Sequence, residues 1–307
     1  MKLHLTALTV MLFTTNELLA QQLDYLLSSC DDLQQINHDY NGHYQLTQNI
    51  DCAGIDFIPI GTSETPFTGV LDGNHYSITN LTIQRPQENQ VALFRATQNA
   101  SIKNLHLQDS LIVGMMKNIA TLIANSDYTT IRNVSATGNV WGVGGSSSVG
   151  GLIANSHESI IQESSAQVDV IALGYADVGG LIGQNYDGSI ENCYATGKVS
   201  GQYLVGGLIG TNAVTSVANS FAAGQVIGAI GSTGGLIGSG DPHSLIKNSY
   251  WDIDTTQQFT SAGGQGVPHE KMKLIATYES WDFDVIWDID EGNSYPWLCH
   301  SNLCNKN

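Results

Sequence analysis

One glycine-rich phrase is written four times along this chain: VGGLIAN from Val149, VGGLIGQN from Val178, VGGLIGTN from Val205 and TGGLIGSG from Thr233. The steps between copies are 29, 27 and 28 residues. A period of that size marks stacked supersecondary units, each too small to bury its own apolar face. Weaker copies, VALFRAT from Val91 and IATLIANS from Ile119, keep the spacing at 28 and 30.

Alignment on the leucine exposes columns. Eleven or twelve residues beyond it stand Asn104, Asn133, Glu163, Asn192, Asn219 and Asn248, with Asn80 expected as an earlier member. The next column, Leu105, Val134, Ser164, Cys193, Ser220 and Ser249, is apolar or small; the one after, His106, Ser135, Ser165, Tyr194, Phe221 and Tyr250, is mixed. Leu107, Ala136, Ala166, Ala195, Ala222 and Trp251 are apolar again. Alternation with period two is the mark of strands.

Each unit is expected to place a strand on GGLIG, a second on a segment such as SIENCYA and a short third on one such as GKVSG. Glycine and β-branched residues leave no room for a helix, which sets the chain apart from leucine-rich repeats of similar period. The fold class is therefore all-β, a right-handed parallel β-solenoid, the hand following the rule for parallel crossovers. Roughly eight coils at ~4.8 Å each give a rod ~40 Å long. Bend asparagines can then bond from coil to coil, and the glycine pair supplies either an unusual backbone conformation or a close approach that a Cβ would obstruct.

The ends of such a ladder need covers. Leu23, Leu26, Leu27, Cys30, Leu33 and Ile36 follow helical spacing, so a short amphipathic helix is expected over the first coil. Trp251, Trp281, Trp287 and Trp297, four of the five tryptophans, fall in the last 57 residues and are expected to cover the other end. The chain then divides into an export signal over 1–20, a cap helix and first strand over 21–56, degenerate coils over 57–90, repeats over 91–250, an aromatic cap over 251–298 and a tail over 299–307.

The signal reading rests on Lys2, an apolar run from Leu3 to Phe13 and a cleavage point after Ala20, the run being too short for an ordinary membrane span. It implies a secreted or cell-surface protein, with the periplasm as a further compartment. Disulfides are then permitted, and the expected pairs are Cys30 with Cys52 and Cys299 with Cys304, leaving Cys193 as a small buried hydrophobe. Eleven Lys and Arg face 28 Asp and Glu, a formal charge of -17. Such a surface excludes nucleic acid and anionic lipid as partners.

The core Gly180-Leu181-Ile182-Gly183, repeated as Gly207-Leu208-Ile209-Gly210, resembles the GLUG repeat. The segments NSYWDIDTTQQFTSAGGQG from Asn248 and WDFDVIWDIDEGNSYPWL from Trp281 are similar to the terminal element that follows such repeats, and FIPIGTSETPFTGVLDGNHYSITNLTI from Phe57 is similar to the coils that precede them. The resemblance implies an exported bacterial β-helical scaffold of the kind found in adhesins and in the non-catalytic part of immunoglobulin A1-specific zinc peptidases. It carries no catalytic residues over to this chain.

The residues themselves offer little chemistry. His269-Glu270 matches the first two positions of a zinc-peptidase HExxH helix, but Lys273 stands where the second histidine belongs. A polysaccharide lyase needs cations to stabilise developing charge, and the arginines are only Arg85, Arg95 and Arg132. Glu163 and Glu191, on neighbouring coils, are read as scattered surface carboxylates rather than a glycosidase pair. Acidic residues from Asp252 to Glu291 leave calcium open, although no EF-hand spacing is present. No cofactor is expected.

Tyr194, Phe221 and Tyr250 form the candidate ligand-binding strip, weighed against a ladder that merely stabilises itself. The expected function is that of a non-catalytic, monomeric adhesion or binding scaffold for a glycan or protein at a cell surface, matrix or envelope. The alternative is a carbohydrate-active enzyme on the same scaffold.

Overall fold

The structure, a computed structural model, describes residues 25–145, 147–228 and 232–299. The expected export signal over 1–20, Leu23 and Cys304 lie outside the described residues. The chain winds as a parallel β-solenoid whose rungs form two six-stranded sheets and one broad sheet of 19 strands. The two narrow sheets, one of them extended by a bridge from Ile60 to Phe94, mark about seven turns, or a rod of ~34 Å at ~4.8 Å per turn.

One coil illustrates the design. Asp177–Gly179 is a rung of the first narrow sheet, and Ile182–Tyr186 of the second. After a bend at Asp187 the chain enters the broad sheet through Ser189–Glu191, bends again at Asn192, and continues through Tyr194–Ala195 and Val199–Gly201. The repeated phrase is thus not a single strand. It breaks at its glycine pair and turns the corner between the narrow sheets.

Crowding explains those glycines. A Cβ on Gly180 or Gly207 would come 2.8 Å from the Cβ of Ala195 or Ala222, across the narrow core. On Gly179 it would run into the carbonyl of Ile182, and on Gly183 into Ser148 of the preceding coil. Of the two reasons foreseen for the glycine pair, close approach is the operative one, and the alanine column is small for the same reason.

The asparagine column has a backbone cause. Asn104, Asn133, Glu163, Asn192, Asn219 and Asn248 all have φ between 44° and 55°, the left-handed region that asparagine tolerates better than most residues. Asn133 Nδ2 donates to Asn104 Oδ1 at 2.9 Å, and Asn104 Nδ2 to Asp72 at 3.0 Å. Asn80 does not belong here. Register pairs Ser77 with His106 and Thr82 with Leu111, so Asn80 lies beside Asp109, and His75 is the neighbour of Asn104.

A left-handed residue interrupts the backbone ladder, and the following N–H finds a side chain of the next coil instead. Val134 donates to Ser164 Oγ at 3.2 Å and Cys193 to Ser220 Oγ at 3.1 Å. The other bend, at Asn99, Tyr128, Glu158, Asp187 and Val214, works alike, with Thr129 donating to Ser159 Oγ at 3.1 Å. These hydroxyls are buried yet paired, as burial of polar groups requires.

The first coil carries the expected short helix, tied by the expected disulfide, but over fewer residues than the apolar spacing suggested. Only α1 (Cys30–Gln34) and a 3-10 turn over Gln35–His38 are helical. Tyr25–Leu27 is a strand that pairs with His43–Leu46, because Ser29 caps the helix and so delays its start. Leu33 and Ile36 are buried, and the disulfide between Cys30 and Cys52 ties the turn down.

The C-terminal part carries the expected aromatic cluster, placed along the flank. Trp251 stays inside the last coil of the main core, and Gln265–Val267 adds a final rung. The remaining chain, residues 268–298, does not cap the end; it doubles back as a strap along the flank. Trp281 Nε1 donates to the Asn248 carbonyl at 2.9 Å and Trp287 Nε1 to Asn192 Oδ1 at 3.2 Å, while Trp297 is left half exposed. Among the described residues no helix is long and apolar enough to cross a membrane.

Candidate functional site

Register stacks Tyr194 on Phe221 and Phe221 on Tyr250, on the outward face of the broad sheet as alternation requires. The first two rings lie 5.1 Å apart and nearly parallel. They are nevertheless unavailable to a ligand. Phe221 is 0% exposed and its two neighbours 6% and 7%, because Trp281, Trp287, Tyr278 and Tyr295 of the strap pack over them. The ladder anchors the strap; it is not a binding strip. Nothing in the sequence marks which outward column the strap will cover, since the contact joins residues up to 95 apart.

A second outward column is uncovered, and the sequence reading missed it. Gln84, Val113, Trp141, Ile171, Ser200 and Ile227 follow one another in register along the third strand of successive coils. Trp141 and Ile227 are each 40% exposed. The adjoining corner adds Met115, Met116, Leu173, Tyr175 and Tyr203, all exposed. The rings of Tyr175 and Tyr203 meet edge to face, 6.4 Å apart. The available signal was the breakdown of alternation at Trp141 and Ile171, apolar residues where an outward strand position should be polar.

A cleft of about 490 Å³ opens where the strap meets the asparagine bend, lined among others by His75, Lys103, Arg132, Glu163, Asp282 and Ile286. Its charges are already matched. Arg132 donates to Glu163 at 2.8 Å, and Lys103 lies 3.2 Å from Asp72. Gln162 engages Glu191 at 3.1 Å, so the two glutamates do not form a free pair across a substrate-sized gap.

His269 has a structural task. Its Nδ1 lies 2.7 Å from the buried Asp252 carboxylate, which also accepts from Tyr295 at 2.6 Å and from the backbone of Asp254 and Thr255. Desolvation pushes the Asp252 carboxyl upward, but the hydrogen bonds led by Tyr295 outweigh it and hold the group below its ordinary value. Burial drives the Tyr295 hydroxyl upward, keeping it a neutral donor. This clasp fixes both ends of the strap.

Cys193 is fully buried, and burial pushes its thiol up to about 12, the opposite of what a nucleophile needs. Among the described residues no group of three or more His, Cys, Asp and Glu is placed to hold a metal ion. Several acids of the terminal segment instead accept backbone N–H groups, as Asp282 does from Asp284 and Val285.

Comparison with known proteins agrees with this architecture. The GLUG motif matches residues 174–200, and the N-terminal region of the M26 IgA1-specific metallo-endopeptidase matches 21–138. Halomucin of Haloquadratum walsbyi is 37% identical over 158 residues, 47% of this chain and 2% of its own length. An immunoglobulin A1 protease of Streptococcus sanguinis is 28% identical over 289 residues, 90% of this chain and 13% of its own length. The chain thus spans a small fraction of these curated relatives. A crystal structure from Bacteroides ovatus, named for the immunoglobulin A1 proteases, superposes with a TM-score of 0.68 at 18% identity, covering 91% of this chain and 93% of that one. That likeness speaks for the fold alone. One coil of the solenoid, residues 174–200, thus matches the GLUG motif, and the coils stacked on it repeat the same glycine-rich phrase.

Proposed function

We propose that the chain is a non-catalytic binding scaffold, exported to act at a cell surface, matrix or envelope, and that it holds a glycan or protein partner along the exposed stripe through Trp141, Ile171 and Tyr175. The stripe carries this reading. It gathers Trp141, Ile227 and, at the adjoining corner, Met115, Met116, Leu173, Tyr175 and Tyr203 as exposed apolar side chains on one flank, and such grouping is what interaction sites display. The match to the N-terminal region of a peptidase, rather than to a set of catalytic residues, supports the non-catalytic half. The reading requires no metal or cofactor.

The test is a screen of the purified protein and a Trp141→Ser, Ile171→Ser, Tyr175→Ser variant against immobilised glycans and surface proteins, with chromatography of offered polysaccharides in parallel. Retention of a partner by the wild type alone, without product release, is expected. Product release from a polysaccharide would transfer the chain to the carbohydrate-active enzymes.

A further inference from the structure

Resting on that reading of the stripe, we propose that its occupant is a protein or peptide of net positive charge that presents an apolar ridge. The composition of the patch points to a protein. Tryptophan, tyrosine and methionine are the residues enriched in protein interfaces, and Trp141, Tyr175, Tyr203, Met115 and Met116 supply them together.

Size and charge then select the kind of protein. The column runs across five rung spacings, about 24 Å at ~4.8 Å each, and about 10 Å across three strand residues. That is roughly 240 Å² of face, part of it polar at Gln84 and Ser200, well short of the ~800 Å² per partner of a standard interface. Apolar contact alone is too small to hold a partner, so attraction from outside the stripe must contribute. The formal charge of -17 supplies that field for a cationic partner.

The same field argues against a second copy of this chain, which would bring two bodies of -17 together for the same small area. At the stripe itself the charges are mixed, with Asp169 and Lys198 on the neighbouring column. The selectivity therefore comes from the whole acidic rod, while the stripe sets the place and orientation of docking.

The experiment uses the full chain and two defined probes, an amphipathic leucine–lysine peptide and its leucine–glutamate counterpart, with a neutral glucan as a third. The expected result is binding of the leucine–lysine peptide alone, weakened by added salt. The triple variant named above should lose about tenfold or more in affinity, as loss of central aromatic anchors does. A Phe259→Ser variant, changed at an 83% exposed ring elsewhere, should bind like the wild type. Equal binding of both peptides, or undiminished binding by the triple variant, would overturn the proposal. Stripe-dependent binding of the glucan without the peptide would overturn it too while leaving the scaffold function standing. The scaffold function itself falls only if the wider screen also finds no partner.

Discussion

Val214 carries a β-branched side chain at φ 56°, in the bend column where its neighbours are Asn99, Tyr128, Glu158 and Asp187. Left-handed backbone costs an ordinary residue about 1–2 kcal/mol, and Val214 is exposed, so little packing compensates. Val214→Asn keeps the N–H that donates to Asp241 at 2.6 Å and should stabilise the protein by about 1 kcal/mol in thermal or urea unfolding. Unchanged or lowered stability would show that this bend is not strained. Glycine positions divide in the same way. Gly180→Ala meets Ala195 and the Gly207 backbone and should cost about 1–3 kcal/mol, whereas Gly145→Ala, with nothing within 4 Å, should change stability little. At this scale the sequence is informative where one residue type is demanded repeatedly. The asparagine column and the GGL phrase could be read because five and four coils repeat them, but the second bend accepts Asn, Tyr, Glu, Asp and Val, so no column stood out.

Among the elements, the strap is where reading the sequence stops. Its tryptophans announced an aromatic cover, yet an end and a flank are equally apolar destinations, and only the three-dimensional match of Trp287 with Asn192 decides between them. The helix expected at the front is present but shorter than its spacing suggested, over Cys30–Gln34, for a related reason: apolar spacing over 23–36 fits both a longer helix and a strand followed by a capped turn. The strap should be the acid-sensitive element. Asp252 sits below its ordinary value of 3.8 when folded. Its contribution is therefore complete above that ordinary value and is lost as pH falls through the lower folded value. Acid titration followed by tryptophan fluorescence should show Trp281 and Trp287 losing their packing in that window. An Asp252→Asn variant should be less stable at neutral pH and should lack that part of the transition. An unaltered acid profile would remove Asp252 from the clasp.

At the scale of the whole molecule, periodicity made the architecture legible: a repeat near 28 residues without room for a helix leaves parallel stacking as the way to bury each coil. Periodicity did not reveal the function. Which outward column stays bare depends on where a non-repeated segment lands, and that is a property of the assembled rod. The outward residues of successive coils form one straight file. Spin labels at Gln84 and Ile227, five rungs apart in that file, measure it directly. A narrow distance distribution centred at about 24 Å, apart from the reach of the labels, is the predicted result; a broad distribution, or one centred far from that value, would contradict the stacked coils and the stripe with them.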